Sequence, residues 1–76
     1  MSQNPTIGRA VHYQSYGSPG GEHKSEPRAA TITSIHADGT TVSLFVMTPT
    51  GTFHNATTPY SETPKAGHWS WPPRVP

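Results

Sequence analysis

Five histidines are the first residues to weigh, because imidazole can hold a metal, carry a proton or activate a nucleophile near neutral pH. They stand at positions 12, 23, 36, 54 and 68. No two are four residues apart, as a helical metal site needs, or two apart, as a strand site needs. The chain has no cysteine, which removes thiolate zinc sites, iron–sulfur clusters and cysteine nucleophiles. Its four acidic residues, Glu22, Glu26, Asp38 and Glu62, fall mostly in loop-like segments. No paired-carboxylate motif, phosphate-cradling loop or nucleophile elbow is present. The expectation is a protein that is not an enzyme, with no catalytic residue, no metal and no cofactor. His12 and His68 are the least ordinary of the imidazoles, since each adjoins an aromatic residue in a strand-like segment.

Rings interleaved with cations say more. Tyr13, Tyr16, Tyr60, Trp69 and Trp71 lie in or beside two strand-like segments, with Arg9, Arg28 and Lys65 close in sequence. A nucleobase carrying a phosphate needs such a set, because stacking is worth about 1–3 kcal/mol per base and arginine grips phosphate in a two-pronged fashion. Arg9, His12, Tyr13, Tyr16, Arg28, His68, Trp69 and Trp71 are therefore the candidate ligand-binding residues. In so small a protein at least one of the two indoles is expected in the core instead.

These residues must be positioned by strands. Ile7 to Tyr13 alternates apolar and polar residues as a half-buried strand does. The next stretch, residues 14–27, is dense in Gly, Pro and Ser and reads as a long loop. Arg28 to Ile35 and Thr41 to Thr48 are β-branched runs joined through Asp38-Gly39, a strong hairpin signal because Gly accepts positive φ. With a bulge at the Gly, Ala30 faces Val46 and Ile32 faces Leu44, leaving Phe45 and Met47 on the other face. Thr48-Pro49-Thr50-Gly51 has the signature of a type I turn. It sends the chain back through Thr52 to Ala56, with Phe53 opposite Val46 and His54 opposite Phe45. Ala30, Ile32, Leu44, Val46 and Phe53 are then expected to share one buried face. A second loop, 57–67, leads to a last short strand at His68-Trp69-Ser70-Trp71, ended by Pro72-Pro73. The reading is one all-β domain over residues 1–76, with loose termini at 1–6 and 73–76. It is a five-stranded barrel of SH3-like or OB-like kind, or an open sheet, with two long loops.

The chain of 76 residues has room for one small domain. Hydrophobic residues make up 30%, a thin supply where a single core seldom yields more than about 3–5 kcal/mol. Self-association is expected, since Phe45 and Met47 add an apolar pair outside the core. Charged residues are only 12% and the formal charge is +1, with the cations scattered rather than striped. A nucleic-acid partner is therefore disfavoured. No apolar run approaches a membrane span and the opening Met1–Pro5 lacks the pattern of a signal peptide. No membrane partner is expected, and the expected location is the cytoplasm.

The segments Gly8-Arg9-Ala10-Val11-His12-Tyr13, Pro49-Thr50-Gly51-Thr52-Phe53-His54-Asn55 and His68-Trp69-Ser70-Trp71-Pro72 resemble a group of small β-proteins of bacteriophages, prophages and actinobacterial genomes. In size and style such proteins are similar to the phage sponges, sequestins among them, that bind bacterial immune nucleotide signals without cleaving them. That resemblance implies a phage-encoded, anti-defence protein of the host cytosol. It would sequester a small nucleotide, such as a cyclic dinucleotide or an ADP-ribose derivative, as a homodimer or other homo-oligomer. The alternative is a small interaction module that binds a host protein or single-stranded nucleic acid through the same rings.

Overall fold

The computed structural model describes residues 4–17 and 24–73. The expected features at residues 1–3 and 74–76, and the middle of the first loop at 18–23, lie outside the described residues. Five strands form one antiparallel sheet: β1 (Ala10–Gln14), β2 (Pro27–Ile35), β3 (Val42–Thr48), β4 (Gly51–Thr58) and β5 (Trp69–Ser70). Their spatial order is β4-β3-β2-β1-β5. Each of β1 to β4 thus pairs with its neighbour in sequence, β2–β3 and β3–β4 through short turns and β1–β2 through the long first loop, while β5 returns to the free side of β1. The class is the all-β one expected, and the sheet is open rather than closed into a barrel. Among the described residues no helix is long and apolar enough to cross a membrane.

Register follows the turns. Ala30 pairs with Val46 and Ile32 with Leu44, while Val46 pairs with Phe53 and Phe45 with His54. The bulge expected at Gly39 lies elsewhere, between Ile32 and Ser34 on β2. The turn does not need it, because Asp38 organises the loop by itself. Its carboxylate accepts hydrogen bonds from the Thr40 amide at 3.0 Å, the Thr41 amide at 2.8 Å and the Thr41 hydroxyl at 2.6 Å. Gly39 supplies the positive φ of 77°, a value that a side chain would make costly.

Strand β1 begins later than the alternation predicts. Gly8 adopts a φ of 89° and Arg9 N–H bonds back to Thr6 O at 3.1 Å. This turn swings Ile7 away from the sheet, where it is 71% exposed.

A single sheet buries a core here by curling over its own concave face. Tyr13 on β1 and Phe53 on β4 are separated by two intervening strands, yet their ring centroids lie 5.8 Å apart at 79°. Val11, Tyr13, Ala30, Ile32, Val42, Leu44, Val46 and Trp69 fill that concavity. Phe53 is on the same face but is 41% exposed, contrary to the expectation of burial. It sits on an outer strand, so no further strand covers its outer side.

The second loop is more structured than its composition predicts. Trp69 N–H donates to Pro59 O at 3.0 Å and Ser61 N–H to Trp69 O at 2.9 Å, giving a single parallel bridge between Tyr60 and Trp69. The described ends of the first loop are also tied together. Ser15 N–H donates to Glu26 O at 2.9 Å and Gln14 Nε2 to Ser25 Oγ at 2.8 Å.

Candidate functional site

The eight candidate residues do not form one site. Tyr13 and Trp69 belong to the core, at 4% and 1% exposure, so neither ring offers a face to a ligand. Trp69 is anchored there by its indole N–H, which donates to Thr40 O at 2.8 Å. Burial holds the Tyr13 hydroxyl above its usual pKa, partly offset by a hydrogen bond with Asn55 and reinforced by the charge of Tyr16. Arg28 pairs with Glu26 at 3.3 Å. His68 turns its Nδ1 to Ala66 O, 3.0 Å away. Because a carbonyl can only accept, that nitrogen carries the proton. Tyr16 is exposed and lies over Gly67, where any Cβ would collide with its ring.

Trp71, His12 and Arg9 do converge. The Trp71 ring stands edge-on to Trp69 with centroids 5.1 Å apart at 83°. The Arg9 guanidinium carbon lies 5.3 Å from the Trp71 centroid, a cation–π distance. An indole held from two sides loses little freedom when a ligand arrives.

On the β1–β5 side of the sheet, Trp71 lines an open groove of about 540 Å³ with His12, Gln14, Pro27, Glu62, Pro64, Ser70 and Pro73. The ladder explains the juxtaposition. His12 pairs with Ser70 across β1 and β5, Gln14 pairs with Pro27 across β1 and β2, and the second loop brings in Glu62 and Pro64. The volume suits a small ligand, for which pockets of roughly 300–1,000 Å³ are usual. Its walls are largely apolar, with His12, Gln14, Ser70 and Glu62 as hydrogen-bonding groups. Among the described residues that line it, Glu62 is the one carboxylic acid.

Of the expected residues, then, His12 and Trp71 line the groove and Arg9 backs it. The sequence reading missed Gln14, Pro27, Glu62, Pro64, Ser70 and Pro73. Ser70 had a visible signal, since it separates the two indoles on the face opposite to Trp69; Pro64, Pro73 and Glu62 come from loops, where spacing carries no facing information, and Pro27 opens β2 in a stretch that reads as loop.

A second cluster could be mistaken for catalytic machinery. His36, Asp38 and Ser43 are neighbours, with His36 Nε2 3.5 Å from Ser43 Oγ. Both groups, however, are aimed at the same carbonyl. Ser43 Oγ–H donates to Ala56 O at 2.7 Å and His36 Nε2 lies 3.0 Å from that oxygen. The imidazole nitrogen facing Ser43 therefore bears a proton and cannot accept one. The pair clamps a bulge in β4, whose register shifts opposite Val42 and Leu44. Among the described residues no group of three His, Asp or Glu could hold a metal ion.

No family model, curated protein or solved structure matches the chain.

Proposed function

We propose that this protein is a noncatalytic binding module that sequesters a small nucleotide-type signal, its base in the Trp71 groove, and that it works as a homo-oligomer. The observation that carries the reading is the braced Trp71 ring in a groove of suitable size with hydrogen-bonding groups around it. A base stacks on the indole, and His12, Gln14 and Ser70 supply donors and acceptors to its edge. Glu62 accepts from the amino or imino group of a purine. A carboxylate repels phosphate, so the base enters the groove while the phosphates stay outside, on the side of Arg9. No bond is broken.

The walls Pro27, Pro64 and Pro73 beside Trp71 also favour a second reading, a module that docks an extended proline-rich segment of a host protein. Single-stranded nucleic acid fits less well, because its continuous phosphates need a cationic track.

Titration calorimetry of the full chain against cyclic dinucleotides, ADP-ribose derivatives and the parent nucleosides separates these readings. The expected result is a dissociation constant of about 1 µM or tighter for one nucleotide. Trp71→Ala weakens it by about tenfold or more and leaves a cooperative thermal melt. Absence of heat with every nucleotide, together with saturable binding of a proline-rich peptide, overturns the nucleotide reading in favour of the second.

A further inference from the structure

Strand β4 is an outer strand of the sheet, and its eight residues, Gly51–Thr58, include no Lys, Arg, Asp, Glu or Pro. An outer strand presents unpaired N–H and C=O groups that recruit another strand unless charge, proline, a bulge, shortness or a covering segment prevents it. The opposite edge is protected in three of these ways. Strand β5 has two residues, and Pro72 and Pro73 follow it directly after Trp71. The outward N–H and C=O of Trp69 are already taken by Pro59 and Ser61. Among the described residues, one edge of the sheet is blunted and no strand pairs with the other.

The bulge in β4 is confined to its C-terminal part, between Asn55 and Thr58, where Ser43 and His36 hold Ala56 O. Gly51 to Asn55 is left as a regular segment with Phe53, 41% exposed, at its centre. We infer that a second copy of this chain joins at this edge, β4 against β4 in antiparallel fashion about a two-fold axis at Phe53. That axis pairs all five regular residues: Gly51 with the partner's Asn55, Thr52 with the partner's His54, and Phe53 with the partner's Phe53. Moving the axis in either direction runs the ladder into the Pro49–Thr50 turn or the bulge. The segment contains no Lys, Arg, Asp or Glu, so two copies meet without repulsion between such side chains, and the two Phe53 rings become cross-strand neighbours. The inference deepens the homo-oligomer part of the proposed function and does not depend on the ligand.

The test uses the full chain in sedimentation velocity and native mass spectrometry. Wild type is expected to be a dimer at tens of micromolar. Thr52→Lys with His54→Lys sets lysine against lysine twice across the axis, on side chains that are exposed, and weakens the dimer on the order of tenfold while a dilute sample still melts cooperatively. Because the chain has no cysteine, Phe53→Cys introduces a single thiol. It is expected to form a disulfide-linked dimer under mild oxidation, whereas Met47→Cys on the convex face is not. A lone monomer at that concentration overturns both the edge contact and the homo-oligomer, as does a monomer that adds an extended peptide of another protein to β4. A dimer that survives the lysine pair and cross-links through Met47→Cys overturns the edge contact alone.

Discussion

Thr58 is fully buried opposite Val42, yet among the described residues its hydroxyl has no hydrogen-bond partner. A buried polar group left unpaired costs about 1–3 kcal/mol, a large share of what a core this size supplies. Valine has the same shape without the hydroxyl. Thr58→Val is therefore expected to raise stability by about 1 kcal/mol, or the melting temperature by roughly 4–8 °C at this chain length. A lower melting temperature by calorimetry would mean that the hydroxyl has a partner worth keeping. The indoles divide by the same logic. Trp69 finds Thr40 O for its N–H and can be buried, whereas Trp71 is only partly buried and lies against Arg9. Alternation in the sequence puts both on one strand face and cannot say which is deeper. The division depends on β5 ending at Ser70, after which the backbone leaves the ladder.

At the scale of the element, the β2–β3 turn owes its shape to one carboxylate. Hydrogen bonds from the Thr41 hydroxyl, the Thr41 amide and the Thr40 amide to ionised Asp38 lower its pKa from 3.8 to about 2. A carboxyl depressed in the folded state adds stability that is complete above its unfolded value and lost as pH falls through its folded value. The turn's contribution is thus expected to disappear between about pH 4 and pH 2. Asp38→Asn keeps the shape but has no charge to lose, so its melting temperature should fall less steeply over that window. Parallel acid slopes for the two proteins would show that ionisation of Asp38 does not support the turn. Asp38-Gly39 was legible as a hairpin before any coordinates, because the signal is local. Local signals do not place the bulge, because either position preserves the same facing pairs, Ala30 with Val46 and Ile32 with Leu44.

For the whole molecule the open question is how a thin core holds. Hydrophobic residues are 30% of the chain, and a curled single sheet leaves its convex side in water, with Met47 37% exposed. The self-association proposed above would supply further burial. If unfolding is coupled to dissociation, the melting temperature rises with protein concentration by mass action. A shift of several degrees over a roughly hundredfold concentration range is expected. A melting temperature that is flat over that range would mean that the monomer is stable alone. This measurement does not ask which surface meets the partner, so it stands even if the contact is not at β4.

The sequence by itself determined the class and two of the four strand pairings, β2 with β3 and β3 with β4. Two turns, Asp38-Gly39 and Pro49-Thr50-Gly51, together with period-two alternation, place Phe45 opposite His54 and Val46 opposite Phe53, as the ladder has them. Such contacts are close in the chain and need only backbone preference and side-chain parity. The tertiary structure decided what depends on curvature and on contacts distant in sequence. Curling of the sheet brings Tyr13 to Phe53 and so turns a candidate ligand ring into core. The pairing of β1 with β5 creates the groove and sets His12 beside Ser70, while residues as distant as Pro27 of β2 and Glu62 of the second loop become its walls. No local propensity encodes these meetings, because each is set by how far the whole sheet bends before its apolar face is covered.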